Sequence, residues 1–417
     1  MNINSIAPEN VLAKLSVSKL RPQQEQVLPD ILSGKDVTVV MPTGGGKSLL
    51  YQAPAIMDND NGLTVVISPL KSLQKDQINH LKQKGVKAEL LNSTLSSSEH
   101  SKVLHDMCES GGLLYLAPEQ LLRDDVANAL KASNLKRVVI DEAHILVEVK
   151  DDFRKAYGEI GKFISSLPDR PQVIALTATA TKENISEIKH SLNIEECNDF
   201  RFPVRRENLE LYIKRIDKKK NGRKSKKRLK TVRFEMVERA VSELKDGSAI
   251  VFCTTVKMTK QLYKFLDAHG YKVGKYHGKM KNDKREKAQQ DFISGKTKIM
   301  VATNAFGLGI DKPDIRLVVH ASLPLSIDGY IQEIGRAGRD GEKSKCVLIY
   351  ADSDFFQNER ILKIGDEQSV KRKLKGLAHL KKFVSTKKCL WCFIEKYFGE
   401  SKKDRCKKCC NCRLKKL

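Results

Sequence analysis

Short apolar runs rich in β-branched residues recur along the chain, with longer amphipathic segments between them. The first half contains DVTVVM (36–41), LTVVIS (63–68), LLYLA (113–117), RVVIDE (137–142) and QVIALTAT (172–179). The second half contains SAIVFC (248–253), KIMVAT (298–303), RLVVH (316–320) and KCVLIY (345–350). Strands that alternate with helices are typical of parallel sheets covered by helices. The pattern therefore predicts an α/β protein.

This pattern changes twice, and the changes predict the domain organisation. A basic, glycine-containing segment interrupts it between Asp217 and Lys230, and from about Asp352 it gives way to lysine-rich helical sequence that ends in a cysteine cluster. We predict an α/β domain over 1–209, a basic linker over 210–230, a second α/β domain over 231–352 and a small module over 353–417. So small a module can scarcely bury enough core without a metal.

Composition places the chain among globular proteins. It has 417 residues, of which 40% are hydrophobic, and it contains no run of eighteen apolar residues. The N-terminal residues lack the basic and then apolar layout of a signal peptide. We therefore expect a soluble protein with no membrane partner, in the nucleus of a eukaryote or otherwise in the cytoplasm. In a reducing compartment, clustered thiols among its ten cysteines are more often metal ligands than disulfides.

The net charge of +25 is concentrated in two segments. Between Lys214 and Arg233 there are 12 basic residues against Asp217 alone, which gives +11; between Arg360 and Leu417 there are 19 against 5, which gives +14. Together they account for the whole excess. Such patches suggest a polyanionic partner, with nucleic acid as the leading candidate. A nuclear localisation signal is the alternative interpretation of KKKNGRKSKKRLK.

The segment PTGGGKS, which follows the first predicted strand, has the features of a phosphate-binding loop. Glycine amides can approach phosphates closely, the next helix adds positive potential at its N-terminus, Lys47 neutralises charge, and Ser48 can hold Mg²⁺. Met41 stands where the strict pattern has glycine, so the loop is a variant. The residues expected to bind ATP here are Thr43, Gly44, Gly45, Gly46, Lys47 and Ser48.

An acidic pair at the end of another predicted strand supplies the second half of such a site. In RVVIDEAH, Asp141 is placed to hold Mg²⁺ through water, and Glu142 to orient or deprotonate the attacking water. A helix cap is the alternative interpretation of the pair, and the P-loop upstream favours catalysis.

Spacing alone leaves two zinc sites open. Cys389 and Cys392 with Cys409 and Cys412 fit a ribbon-type template, and Cys389 with the CxxCxxC run from Cys406 to Cys412 fits more loosely.

Several motifs in collinear order resemble the RecQ family of superfamily 2 DNA helicases. They are MPTGGGKS, SPLKSLQKDQ, LLYLAPEQLL, DEAH, LTATAT, ATNAFGLGIDKPDIR, YIQEIGRAGRDG and the closing YFGE followed by cysteines. The resemblance covers roughly residues 15 to 412. It implies two tandem RecA-like domains followed by a small helical zinc-binding module.

The resemblance also implies roles for further residues in nucleotide chemistry. Arg21 and Gln24 match an adenine-reading motif, although LSVSKL replaces the aromatic and glycine residues usual before it. Asp311 matches a nucleotide contact of the second domain. Gln332, Arg336 and Arg339 match a motif that faces the γ-phosphate, with Arg339 as the first choice of arginine finger and Arg336 as the second.

For the cysteines, the family pattern selects Cys389, Cys406, Cys409 and Cys412 as zinc ligands and leaves Cys392 and Cys410 spare. Many relatives continue into a winged-helix domain, and since the chain stops five residues after Cys412, we expect a core-only member. The basic tail around the zinc module is expected to substitute partly as a duplex platform.

Nucleic-acid contacts implied by the resemblance lie in 68–77, 92–94 and 117–119 and near Thr303. Backbone phosphates carry no sequence information, so little sequence specificity is expected.

In the aromatic-rich loop after DEAH, Val149 and Asp151 replace the family's Trp and His. We therefore predict that single-stranded DNA stimulates the ATPase weakly. The residues expected to contact or couple to DNA are Ser68, Lys71, Asn92, His144, Phe153, Arg154, Thr177, Thr179 and Thr303.

The resemblance implies an ATP-, Mg²⁺- and Zn²⁺-dependent helicase that moves 3′ to 5′ on single-stranded DNA and unwinds duplex or branched DNA in repair and recombination. The alternatives are an RNA helicase and a DNA-binding or strand-annealing protein whose affinity ATP switches. Comparing the stimulation of the ATPase by DNA and by RNA would distinguish a DNA helicase from an RNA helicase. Strand-separation assays would distinguish a helicase from a binding or annealing protein.

Overall fold

The computed structural model describes residues 6–58, 61–68, 71–92, 95–148, 152–216, 226–306, 312–400 and 404–413, apart from the side chains of 71–76, 148, 152–157 and 226–228. It divides into two compact units, Met1–Pro203 and Val204–Leu417. The predicted four-part domain boundaries remain predictions. No helix in these described ranges is long and apolar enough to cross a membrane.

The first unit is built on a seven-stranded parallel sheet with strand order β3-β4-β2-β5-β6-β1-β7. Its strands are β1 (Val37–Val40), β2 (Leu63–Ile67), β3 (Ala88–Leu91), β4 (Gly112–Leu116), β5 (Leu135–Asp141), β6 (Gln172–Thr177) and β7 (Asn198–Arg201). Its helices are α1 (Glu9–Lys14), α2 (Pro22–Leu32), α3 (Leu49–Met57), α4 (Lys71–Gln83), α5 (Ser97–Ser110), α6 (Asp124–Lys131), α7 (Ile145–Glu148), α8 (Asp152–Ser165) and α9 (Lys182–Leu192), with a 3-10 helix at Pro118–Leu122.

Three neighbouring strands at the centre of this sheet position the predicted catalytic loops. In the order β5-β6-β1, Asp141 pairs with Leu176, and Thr177 pairs with Val40. The strands are parallel, so their carboxyl ends meet at one edge, where ligands bind in open α/β sheets. The P-loop and the acidic pair therefore leave the sheet at the same edge, with only β6 between them.

The second unit has a six-stranded parallel sheet with strand order β10-β11-β9-β12-β13-β8. Its strands are β8 (Leu209–Arg215), β9 (Ser248–Phe252), β10 (Val273–Tyr276), β11 (Ile299–Ala302), β12 (Ile315–His320) and β13 (Ser344–Tyr350). Its helices are α10 (Lys226–Ser242), α11 (Val256–Ala268), α12 (Asn282–Ile293), α13 (Ile327–Ile334), α14 (Asp352–Leu362), α15 (Glu367–Ser385), α16 (Leu390–Tyr397) and α17 (Cys410–Arg413).

The C-terminal helices share one apolar core with this second sheet. Leu380, Phe383 and Trp391 belong to the same buried cluster as Leu211 of β8 and Leu348 of β13. The indole Nε1 of Trp391 donates to the carbonyl oxygen of Leu209 over 3.3 Å. The module is thus supported by the sheet as well as by any metal.

The predicted fold class is confirmed. Each of the nine apolar runs forms a strand, both sheets are parallel, and a helical region with clustered cysteines follows. The hydrophobic pattern missed β3, β7, β8 and β10.

Candidate nucleotide, nucleic-acid and metal sites

The P-loop lies between β1 and α3, and its glycines are required by backbone geometry. Gly44 and Gly46 have φ of 81° and 83°, a region that disfavours residues with a Cβ. At Gly45 a Cβ would lie 2.5 Å from Cγ of Met41, whose side chain is fully buried beneath the loop. Met41, the departure from the strict motif, therefore fills the space under the loop and restricts position 45 to glycine.

The first turn of α2 contacts this loop through the two predicted adenine-site residues. Gln24 is buried; its Oε1 accepts the Arg21 backbone N–H over 2.8 Å, and its Nε2 donates to the Gly46 carbonyl over 3.0 Å. The Arg21 guanidinium donates to the Gly44 carbonyl. A Cβ at Gly46 would meet the Gln24 amide at 2.4 Å. Arg21 and Gln24 are thus held against the loop that is expected to bind phosphate.

Lys47 and Ser48 end the loop and begin α3. The Lys47 ammonium donates to the Met41 carbonyl over 3.1 Å, and Ser48 is the N-cap position of α3. The Lys47 charge also acts on Asp141, where it partly offsets the rise in pKa that burial and the Glu142 charge produce. Phosphate-binding and acidic groups of the first unit therefore lie within electrostatic reach of one another.

The acidic pair ends β5 in a buried and strained position. Asp141 is only 8% exposed, and Glu142 has a φ of 54°, in the left-handed region. The Glu142 backbone N–H donates to Asp141 Oδ1 over 3.0 Å. Burial, and then the neighbouring Glu142 charge, raise the pKa of Asp141 to about 7. A divalent cation would offset both penalties, and hydroxyl and carboxylate oxygens of Ser48 and Asp141 are ligands of the type Mg²⁺ prefers.

His144 connects the acidic pair to the end of β6. Its Nδ1 lies 3.0 Å from Thr177 Oγ1 and 3.3 Å from Glu142 Oε2. Because Thr177 Oγ1 donates its own proton to the Thr179 carbonyl over 3.0 Å, His144 Nδ1 must carry a hydrogen and donate to Thr177. His144, Thr177 and Thr179, which the resemblance predicted as coupling residues, form one buried network around Glu142.

The backbone at the end of β6 binds both loops, although no sequence motif predicts these backbone contacts. The Leu176 carbonyl accepts the Ala143 N–H over 2.8 Å, and the Thr177 carbonyl accepts the Met41 N–H over 3.0 Å. One strand end therefore holds both catalytic loops. The apolar run QVIALTAT predicted this strand, but strand order within a sheet has no local sequence signal.

The predicted nucleic-acid contacts of the first unit lie at the same carboxyl edge of the sheet. Ser68 follows β2, Asn92 follows β3, and both are buried. Residues 117–119 follow β4 and open the 3-10 helix. The side chains of Lys71, Phe153 and Arg154 lie outside the described residues, as do Val149 and Asp151.

In the second unit, Gln332 lies on α13, and Arg336 and Arg339 lie in the turn that follows it. Thr303 follows β11 and is buried, as is Arg336, whereas Arg339 is half-buried. Asp311 lies outside the described residues. The structure therefore brings the two arginines together on one turn within the second unit.

Two residues that sequence reasoning missed brace this turn. The Arg206 guanidinium donates to the carbonyls of Gly335 and Ala337 over 3.4 and 3.3 Å, and the Asn208 amide donates to the Gly338 carbonyl over 2.8 Å. Gly338 has a φ of 54°, and a Cβ there would lie 2.4 Å from Asn208 Nδ2. Both residues precede β8, whose polar sequence gave no strand signal.

The four cysteines selected by the resemblance meet in one buried cluster, and their sulfur atoms lie within 4.8 Å of one another. Sulfurs around a tetrahedral zinc ion, at about 2.3 Å from the metal, lie about 3.8 Å apart. Cys406 to Cys412 measures 3.9 Å, and Cys409 to Cys389 measures 4.0 Å. The four thiols therefore fit zinc.

Backbone donors around the cluster support the same interpretation. The amides of Leu390, Cys406 and Cys409 donate to the sulfurs of Cys409, Cys389 and Cys406 over 3.3 to 3.4 Å. Hydrogen bonds from the Cys406 and Cys409 thiols hold the pKa of Cys389 far below its ordinary value. Zinc requires thiolates, and the three backbone amides stabilise that form. Without the metal, hydrogen bonding to Cys389 raises the pKa of Cys406 and of Cys409.

The two spare cysteines make other contacts. The Cys392 thiol donates to the Asp404 carbonyl over 3.2 Å, and Cys410 contacts Asn411 Oδ1 at 3.5 Å. Beside Cys392, Arg205 donates to Glu395 over 2.7 Å, and Glu395 is fully buried. The ribbon-type pairing, which would use Cys392 in place of Cys406, is not the arrangement found.

Three family models match the chain in order. They are the DEAD/DEAH box helicase over residues 21–188, the helicase conserved C-terminal domain over 232–341 and the RecQ zinc-binding domain over 352–413. The zinc-binding match covers all four clustered cysteines.

Relatives at the sequence level are helicases. The ATP-dependent DNA helicase RecQ of Bacillus subtilis is 36% identical over 94% of this chain and 64% of its own length. R290 of Acanthamoeba polyphaga mimivirus, whose name provisionally assigns it as an ATP-dependent RNA helicase, is 34% identical over 94% of this chain and 69% of its own. The chain thus spans less than two thirds of the bacterial RecQ protein.

Solved structures share the fold. Dbp5 of S. cerevisiae, bound to RNA and ADP BeF3, matches with a TM-score of 0.67 at 19% identity, over 96% of this chain and 94% of that one. Helicase Lhr of Mycobacterium smegmatis, bound to ssDNA and AMP-PNP, matches with a TM-score of 0.67 at 18% identity, over 97% and 57%. Since the sequence relatives span nearly the whole chain and the zinc-binding model covers the cysteine cluster, the chain belongs to the RecQ family of helicases.

Proposed function

We propose that this protein is an ATP-dependent DNA helicase that translocates 3′ to 5′ on single-stranded DNA and unwinds duplex or branched DNA in repair and recombination. The observation that carries the proposal is the common sheet edge of the first unit. There the P-loop and the acidic pair are separated by one strand, whose terminal carbonyls bind both loops. This arrangement joins phosphate binding to water activation.

The roles in ATP binding follow from the contacts of the loop. The amides of Gly44 to Gly46 surround the phosphates, Lys47 leaves its Met41 partner to neutralise them, and Arg21 and Gln24 read the adenine. Because Gln24 already donates to the Gly46 carbonyl, adenine recognition and loop position are linked. Ser48 and Asp141 would hold Mg²⁺, which supplies charge neutralisation at the β- and γ-phosphates.

Glu142 is the proposed base that orients or deprotonates the attacking water. His144 Nδ1 lies 3.3 Å from Glu142 Oε2 and 3.0 Å from Thr177 Oγ1, so the imidazole lies between the carboxylate and the end of β6. Thr177 and Thr179 belong to the same network. A change in that network on nucleic-acid binding would move Glu142, which is how we propose that binding and hydrolysis are coupled.

Arg339 and Arg336 are the proposed arginine fingers, with Gln332 and Asp311 as further nucleotide contacts of the second unit. A guanidinium that reaches the γ-phosphate in the transition state contributes about 10³ to 10⁵ in rate. Since these residues belong to the second unit and the P-loop to the first, the proposal makes hydrolysis depend on both units. Ser68, Lys71, Asn92, Thr303, Phe153 and Arg154 are the proposed DNA contacts.

The deciding experiment compares unwinding of a forked DNA and ATPase activity for wild type, Lys47→Ala and Glu142→Gln. We expect both variants to lose hydrolysis and unwinding while they retain DNA binding without nucleotide. Near-normal turnover in either variant would overturn the site assignment. ATPase without strand separation in the wild type would favour the ATP-switched binding or annealing protein.

RNA is the second candidate substrate, because the relative R290 carries an RNA helicase name and the matched Dbp5 structure holds RNA. Measuring ATPase activity with single strands of DNA and of RNA that have the same sequence would distinguish the two substrates. Stronger ATPase stimulation by RNA would assign the protein to RNA.

A further inference from the structure

Helix α15 presents a row of lysines to solvent. Lys371, Lys375 and Lys382 are exposed and recur at helical spacing, so they lie within a narrow sector of the helix surface. The opposite side of the helix is apolar and buried, with Leu377, Leu380, Phe383 and Val384 in the core of the second unit. The row therefore faces directly away from the protein.

This surface carries one acidic residue, the exposed Glu367, which lies one turn before Lys371 on the same side of α15. From Lys371 to Lys388 the sequence has eight basic residues and no aspartate or glutamate. Within the described part of the chain, Lys371, Lys375 and Lys382 form no ion pair with a carboxylate. Lys371 and Lys375 are one turn apart, a spacing at which like charges destabilise a helix. Glu367 is one helical turn from Lys371 only, so it can offset that charge but not those of Lys375 and Lys382, and a bound polyanion would relieve the repulsion along the row.

Helix stabilisation does not account for the whole row. Lysines near the C-terminus of a helix interact favourably with its dipole, which explains Lys382. Lys371 lies in the N-terminal part of α15, where a cation gains nothing from the dipole. Burial lowers the pKa of the adjacent His379, and Lys382 and Lys375 lower it further, against a smaller opposing effect of Asp328, which is consistent with positive potential along this face.

From this geometry we propose that the outer face of α15 binds the phosphate backbone of duplex DNA. The row from Lys371 to Lys382 extends over about 16 Å at about 1.5 Å per residue. Phosphates recur about every 3.4 Å of axis along one strand, so three lysines can each meet one.

Duplex fits this face better than a single strand. Sites for single strands combine charge with aromatic platforms on which bases stack. The outward positions of α15 are Glu367, Gln368, Lys371, Arg372, Lys375, Ala378, His379, Lys382 and Ser385. The one ring among them, the imidazole of His379, is half-buried and packs against Tyr397 with 5.4 Å between ring centroids. A straight helix also holds its lysines at fixed spacing, which matches a backbone of fixed geometry.

This inference rests on the proposed function, because it assigns the duplex ahead of the translocating units to α15. The test uses the full chain without nucleotide and measures fluorescence anisotropy of a blunt DNA duplex and of a single strand of equal length over a salt series. The variant is Lys371→Gln/Lys375→Gln/Lys382→Gln. The control, Lys84→Gln/Lys131→Gln/Lys182→Gln, removes the same charge from exposed lysines of the first unit.

We expect the Lys371→Gln/Lys375→Gln/Lys382→Gln variant to bind duplex more weakly than wild type. The slope of log binding constant against log salt concentration should become less steep by up to about 2.7, or about 0.9 for each of three phosphates. Single-strand affinity, strand-stimulated ATPase, zinc content and the thermal midpoint should match wild type. An unchanged duplex slope, an equal loss on single strands or an equal effect of the control would overturn the proposal. The wild-type ATPase tests the proposed function separately.

Discussion

Asp141 is a carboxyl group kept in an environment that opposes its charge. It is buried beside Glu142, and its pKa rises from 3.8 to about 7. The folded protein therefore binds this proton more tightly than the unfolded chain does. Stability is lost as pH rises between these two values, because the unfolded chain then binds fewer protons.

Replacing Asp141 with asparagine should remove the free-energy cost of holding a charged carboxylate at this buried position. Without nucleotide or metal, we expect Asp141→Asn to increase the free energy of unfolding at pH 8 by about 1 to 4 kcal/mol while it abolishes ATPase. The gain should shrink at pH 5, where the folded wild type carries the proton. Thermal unfolding at both pH values measures it.

Asp169→Asn, a change at an exposed aspartate of the same unit, is the matched control and should show no comparable gain. Equal stability of Asp141→Asn and wild type at pH 8 would mean that the folded protein accommodates the Asp141 charge without cost.

At the level of elements, the strands that sequence reasoning found and missed differ in one respect. The strands β3, β7, β8 and β10, which were missed, are the edge strands of the two sheets. An edge strand is paired on one side only, so its sequence can be polar, as NDFR in β7 and LELYIKR in β8 are. Interior strands are buried on both faces and read as continuous apolar runs.

The candidate sites show the same division between local and non-local information. Motif spacing predicted the P-loop and the acidic pair, because each depends on residues close together in the chain. Spacing left two sets of cysteines open, and the family resemblance selected the four that the structure brings together. The braces at Arg206 and Asn208 were not predicted, since they precede an edge strand and contact a turn more than a hundred residues later. Polar residues in an irregular segment carry no signal of a distant partner.

The cysteine cluster makes a prediction at the level of this module. Cys406→Ser should lose zinc and solubility, because metal binding contributes folding free energy. Cys392→Ser should retain both, since its thiol contacts the Asp404 carbonyl and lies outside the cluster. Zinc content by atomic absorption and the thermal midpoint measure the effect.

Loss of zinc from Cys392→Ser together with its retention in Cys406→Ser would restore the ribbon-type pairing. Cys410→Ser is the control and should behave as wild type. Because the helices around the cluster pack into the core of the second sheet, we expect Cys406→Ser to retain the fold of the first unit.

For the whole molecule, the basic segment around 217–225, which lies outside the described residues, should contribute to binding through charge alone. We expect replacement of Lys218, Lys219, Lys220, Arg223 and Lys224 by glutamine to flatten the salt dependence of single-strand binding by up to about 0.7 for each phosphate released. A variant that exchanges lysine and arginine at these positions keeps the charge and should keep the slope. An unchanged slope in the glutamine variant would leave the segment as a localisation signal or spacer.

The coupling between DNA and hydrolysis is predicted, from the family resemblance, to depend on the loop between α7 and α8. Its residues Val149 and Asp151 lie outside the described residues, and the sequence places them where the family has Trp and His. Base stacking on an aromatic side chain is worth about 1 to 3 kcal/mol, and an aspartate repels phosphate. The chain's one tryptophan, Trp391, is buried against Leu209 and is not available for stacking.

We therefore predict a basal ATPase that single-stranded DNA stimulates weakly, and stronger stimulation in the double variant Val149→Trp/Asp151→His. ATPase with and without a single strand measures the ratio, and Val149→Leu/Asp151→Asn is the control that changes both positions without adding an aromatic ring. Strong stimulation of the wild type, unchanged in the Trp/His variant, would contradict the prediction. In that case the coupling would lie in Phe153 and Arg154 or in the network of His144, Thr177 and Glu142, which connects the acidic pair to the end of β6.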